Sequence, residues 1–194
     1  MKQMLVMIIA LTFFVSAQTP SPAKSIHFKE LQKCLPVKGP DGFTREKPKG
    51  QTVSNAGFSS SNASVEFTAP KKEKQLQTSD DGKQDSVDTD VTWNASIEIV
   101  DYAGMGEGMS ASLQAITGLQ FENETDEGFE RSTTFAGYKG IEKSHSQENS
   151  KSCSIQLVVA DRFIVTANGN GFTDMAILQS LLNSTDLKKL AALK

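Results

Sequence analysis

Histidine, cysteine and tyrosine are scarce: the 194 residues hold two of each and a single Trp. These are the side chains from which most metal and acid–base sites are built. No C-x-x-C, H-E-x-x-H or G-x-S-x-G occurs, so the local frames of zinc sites and nucleophile elbows are missing. A basic surplus is missing too. The 20 Lys and Arg stand against 23 Asp and Glu, a net charge of -3. That excludes a general nucleic-acid binder, which needs a basic face. Gly104-Met105-Gly106-Glu107-Gly108 follows a predicted strand and opens a predicted helix. It fits neither the dinucleotide fingerprint nor the P-loop, and Glu107 would repel a phosphate, so no nucleotide is expected.

Long apolar runs are absent with one exception, LVMIIALTFFV over 5–15. It is too short to span a membrane, which takes about 20 residues. Lys2 precedes it and Val15-Ser16-Ala17 supplies a small-residue cleavage site. Residues 1–17 therefore read as a signal peptide, with Gln18 as the mature N-terminus. The protein is expected to be exported, periplasmic or extracellular. Membrane attachment would come only from an uncleaved leader. The leader and the cysteine poverty suggest a bacterial source.

Cys34 and Cys153 could form one disulfide in an oxidising compartment, worth about 4 to 5 kcal/mol by chain entropy. The competing reading is two buried, unpaired thiols.

The stretch 152–169, SCSIQLVVADRFIVTANG, organises the fold. Cys153, Ile155, Leu157 and Val159 alternate, as do Phe163, Val165 and Ala167. A three-residue loop, Ala160 to Arg162, puts both rows on one face by pairing Val159 with Phe163. Arg162 would then take the left-handed position, where Gly is usual. Asp161 and Arg162 read as turn and surface residues.

Upstream, 18–25 is a tether, and Ser25 caps a helix over 26–35 that Pro36 stops. Strands are expected at 51–56, 61–69 and from Val91, where Trp93, Ala95, Ile97 and Ile99 alternate. The span 70–90 has one Leu, one Val and no period, and reads as a solvated, disordered loop or a long hairpin tip. Met105, Met109, Leu113 and Ile116 have helical spacing and could line an apolar groove against the sheet. Strands at 129–135 and 138–146 turn at Ala136-Gly137, which sets Arg131 opposite Glu142. Two helical stretches, 174–183 and 187–194, end the chain. The sum is a single α+β domain over 26–194: six or seven antiparallel strands covered by two or three helices, one of them C-terminal.

The segments IHFKELQKCLP, VEFT, IEIVDYAG, FAGYKGIEK and VADRFIV resemble a group of small, uncharacterised exported bacterial proteins. The order of elements also loosely resembles PsbP-like domains. Both likenesses concern structure and imply no activity, cofactor or functional residue.

Three functions follow. The first is a non-catalytic envelope domain that binds a protein partner or an apolar small molecule. The second is a hydrolase or redox enzyme using His145 or Cys153. The third is a calcium-responsive protein using Asp80, Asp81, Asp85, Asp88 and Asp90, which offer oxygen ligands without EF-hand spacing. No catalytic, cofactor or metal residue is assigned.

Overall fold

A computed structural model describes residues 24–55, 58–78, 84–104, 115, 117, 118, 120–147 and 150–193. The elements run α1 (Phe28–Gln32), β1 (Thr44–Arg45), β2 (Lys49–Asn55), β3 (Phe58–Thr78) and β4 (Gln84–Gly104). They continue with β5 (Glu122–Thr125), β6 (Gly128–Phe135), β7 (Tyr138–Gln147), β8 (Ser150–Val159) and β9 (Phe163–Asn170). Two helices close the chain, α2 (Met175–Ser184) and α3 (Leu187–Ala192).

All nine strands form one antiparallel sheet in the order β1-β3-β4-β9-β8-β7-β6-β5, with β2 beside β1 on the free edge of β3. The broad class is α+β. The expected count of six or seven strands under two or three covering helices is corrected to nine strands and three short helices among the described residues. The extra strands have physical reasons to be hidden. β1 is two residues long, and β5 is ENET, exposed throughout and without an apolar side chain to betray a period.

The opening hairpin has the expected register. Val159 pairs with Phe163, Leu157 with Val165 and Ile155 with Ala167. The loop is closed by Arg162 N–H donating to Val159 O over 3.3 Å. The left-handed residues are Ala160 (φ 57°) and Asp161 (φ 52°), not Arg162. Ala136 and Gly137 both have positive φ, as the tight turn between β6 and β7 requires. Arg131 lies opposite Glu142, with Nε 2.6 Å from the carboxylate.

One sheet face carries the core. Ala63, Val65 and Phe67 of β3 continue through Ala95, Ile97 and Ile99 of β4 to the apolar rows of β8 and β9. The helices lay Leu31, Leu178, Leu181, Leu182 and Leu190 on this face, all at most 1% exposed. Each such side chain contributes about 1.5–3 kcal/mol by leaving water. The opposite face is largely polar, as one face of an antiparallel sheet can be. Its buried apolar patch is small, Val158 and Ile164 with Tyr102 beside them.

The N-terminus of α1 departs from expectation. His27, not Ser25, is the N-cap. Ser25 is buried and bonded to Ser59, and Ser61 donates to Ser25 while sharing a 2.7 Å bond with Thr52. Ile26 N–H donates to Asp101 Oδ2 at 2.6 Å. This polar seam fastens Ser25 and Ile26 to the ends of β3 and β4, and Phe28 N–H donates to Thr52 of β2. Asp174 and Asp186 cap α2 and α3 through their side chains.

The span 70–90 is not a loop over its length. The β3–β4 ladder runs on from Lys71↔Val91 to Thr78↔Gln84. Of the two readings of this span, a solvated loop or a long hairpin, the ladder is that of the hairpin over 70–78 and 84–90, which are strand; residues 79–83 lie outside the described residues.

Candidate functional site

The ladder beyond Pro70 is the feature that the core does not explain. β1 reaches only Thr68 on one side of β3, and β9 reaches only Asn94 on the outer side of β4. From Lys71 to Thr78 and from Gln84 to Val91 the two strands pair with each other and with no further strand among the described residues. At about 3.3 Å per residue the ribbon is roughly 25 Å long. Each parent strand has 21 residues, whereas strands of about 3–10 are usual. Pro70 stands where β3 passes beyond β1, so its missing N–H costs no ladder bond on that edge.

A two-stranded ribbon is marginal in water by itself. This one is stitched at its base. Trp93 Nε1–H donates to Glu73 Oε1 over 3.1 Å, and Lys151 Nζ donates to Glu73 Oε2 over 3.1 Å. Both partners hold the Glu73 carboxyl below its ordinary value, the indole bond foremost. The Lys71 ammonium lies 5.1 Å from the Trp93 ring centroid. Behind Trp93 the Phe172 ring is 5.2 Å away, and Phe43 meets Phe172 edge-on at 6.2 Å. Gly171, at φ +88°, lets the chain leaving β9 pass against Trp93, where a Cβ would come within 3.0 Å of the ring. The ribbon is therefore an arm with a fixed root.

Its charges are sorted by strand. Lys71, Lys72 and Lys74 belong to β3; Asp88 and Asp90 belong to β4. Lys72 lies opposite Asp90 and Lys74 opposite Asp88. Neither aspartate is in a salt bridge with a described residue. Val87 is 40% exposed, one of three large apolar side chains so placed among the described residues.

The residues singled out in the sequence are distributed as follows. Met105, Met109, Leu113 and Ile116, and with them the expected apolar groove, lie outside the described residues. Cys34 and Cys153 are buried and unbridged. Cys34 lies beside α3, its carbonyl accepting from Asp186 N–H, whereas Cys153 packs under Gly169 and Phe172. Burial pushes the Cys34 thiol up and the Cys153 thiol up to about 12. At neutral pH Cys153 is therefore held as the thiol, not as the nucleophilic thiolate.

His145 is on the strand next to Cys153, but Ser144 is the residue opposite Cys153, and His145 is opposite Ser152. Successive residues of a strand point to opposite faces, so His145 and Cys153 cannot meet across the sheet. Asp88 and Asp90 lie along a strand with lysines opposite, and Asp80 and Asp81 lie outside the described residues. Among the described residues no three His, Cys, Asp or Glu side chains converge as metal ligands would.

Arg162, expected at the surface, is the guanidinium partner of the fully buried Asp101. The sequence signal that could have found it is the lone acid ending the apolar row of β4. A polar hollow of about 360 Å³ on the open face is lined by Ser64, Glu66, Asn94, Ser96, Glu98 and Asn168 among others. Its carboxylates are engaged locally, Glu66 with Lys49 and Glu98 with Asn62. No described helix is long and apolar enough to cross a membrane.

Compared with known proteins, the chain matches no family model, no curated protein and no solved structure.

Proposed function

We propose that the chain is an exported, non-catalytic binding module of the bacterial cell envelope, and that it engages a protein partner through the β3–β4 arm. The observation that carries this reading is the rooted ribbon itself. None of its described side chains belongs to the core, yet its base is held by an indole–carboxylate–ammonium chain and an aromatic stack. Strand length and side-chain bonds maintained outside the core are expected of a recognition element rather than of a connection. Export rests on the leader-like residues 1–17. The apolar-ligand version rests on 105–116, outside the described residues, and gains no support from the arm.

The experiment places a photo-crosslinking residue at Val87 on the arm and, separately, at exposed Gln179 on α2, in the full chain expressed in its own cells. Illumination should give a discrete adduct with one envelope protein from Val87 and none from Gln179. Equal labelling from both positions, or no adduct from Val87, would remove the arm as the binding element.

A further inference from the structure

We infer that the arm binds by strand addition: the outer edge of β4 between Ser86 and Val91 accepts an extended, basic segment of the partner protein. This rests on the reading of the arm as the binding element, and it specifies the partner's chemistry.

The first ground is the backbone. In an antiparallel pair the N–H and C=O groups of alternate residues point away from the partner strand. Along Ser86–Val91 the inner groups serve β3, and no described strand meets the outer ones. Such an edge is a template for another strand. The root fixes its direction before a partner arrives, which lowers the ordering cost of binding.

The second ground is charge. β4 presents Asp88 and Asp90 on one face of the ribbon, without a salt bridge to any described residue. Val87, Thr89 and Val91 alternate with them on the other face. A strand laid beside this edge would set its side chains against acids on one face and β-branched residues on the other. It should therefore alternate Lys or Arg with apolar residues.

The same charges disfavour the other edge of the ribbon and a second copy as occupant. The outer edge of β3 carries Lys71, Lys72 and Lys74, and edge lysines block strand addition of a basic segment there. A second copy approaching by two-fold symmetry would set β4 against β4, acid against acid.

The test uses the chain from residue 18 onward and fluorescein-labelled ten-residue peptides read by anisotropy. An alternating Lys-Val peptide should bind at low ionic strength and weaken as salt rises. An alternating Glu-Val peptide should not bind. A Lys-Val peptide of the same charge, methylated on the backbone nitrogens of its lysines, lacks the N–H donors that lie opposite Asp88 and Asp90 and should bind about tenfold more weakly or not at all. The variant Asp88→Asn/Asp90→Asn, whose folding is checked by its melting curve, should lose about tenfold in affinity for Lys-Val.

Equal binding of the N-methylated and the unmodified Lys-Val peptides would reduce the interaction to charge and overturn strand addition. Unchanged affinity in the Asn variant would move the site off this edge. Concentration-dependent oligomers in sedimentation that Lys72→Glu/Lys74→Glu abolishes would make a second copy the occupant and overturn the inference. A Val87 adduct with an envelope protein, together with no Lys-Val binding, would leave the arm in place and remove only its strand-addition mode. Absence of that adduct would remove the arm reading itself.

Discussion

Arg162 offers the sharpest test of how the molecule is held together. The Asp101 carboxylate is fully buried and accepts four hydrogen bonds. Arg162 supplies Nε at 2.9 Å and Nη2 at 2.8 Å, and the N–H groups of Ile26 and Ala103 supply the others at 2.6 and 3.0 Å. Arg162 Nη2 also donates to the Lys24 carbonyl at 3.2 Å.

Arg162→Met keeps most of the stem and removes the guanidinium. Two backbone donors are then left to hold a buried charge. Removing one partner of a buried pair costs about 3–5 kcal/mol, because the remaining ion has lost its compensation. For a chain of this size each kcal/mol moves the melting temperature by about 2–4 °C, so the fall should be about 6–20 °C. Differential scanning calorimetry of residues 18–194 at neutral pH reads it directly. Asp101→Leu/Arg162→Met should recover part of the loss, since neither charge remains to be desolvated. A single Arg162→Met that melts within about 2 °C of the parent would refute the burial argument.

The remaining predictions concern the root of the arm and the thiols. The Glu73 carboxyl is held below its ordinary value of 4.5, so its tie to Trp93 is complete above that pH and is lost as pH falls through the lowered value. Fluorescence of Trp93, the single Trp, should therefore change only below about pH 4.5, and Glu73→Gln should abolish that step. A step above neutral pH would contradict the assignment. Cys34 and Cys153, both buried and with raised thiol pKa values, should resist a thiol-reactive disulfide reagent at pH 8 and react at once in denaturant. Fast labelling of the native protein would show that the thiols are not buried as described.

Where burial selects side chains, the sequence was readable. The register of β8 with β9 follows from needing Leu157 and Val165 on one face, and Arg131 opposite Glu142 follows from a two-residue turn. The arm is harder to read because none of its described side chains is buried in the core. Lys72, Lys74, Asp88 and Asp90 carry no apolar period, so strand and loop look alike there. Its root joins residues up to 78 apart, as in Glu73 with Lys151, and local pattern carries no trace of such a pair. Arg162 was misplaced for a related reason. A turn residue looks solvated until an acid from another strand is brought beneath it, and here that acid is 61 residues away.

Hydrogen exchange at the backbone of β4 tests the central claim most directly. In the free protein every second amide from Ser86 to Val91 faces outward and should exchange quickly, while its inward neighbours are slowed by β3. Addition of the Lys-Val peptide should protect the outward amides and leave the edge amides of β5 unchanged. Peptide binding that leaves the outward amides of β4 unprotected would contradict the account.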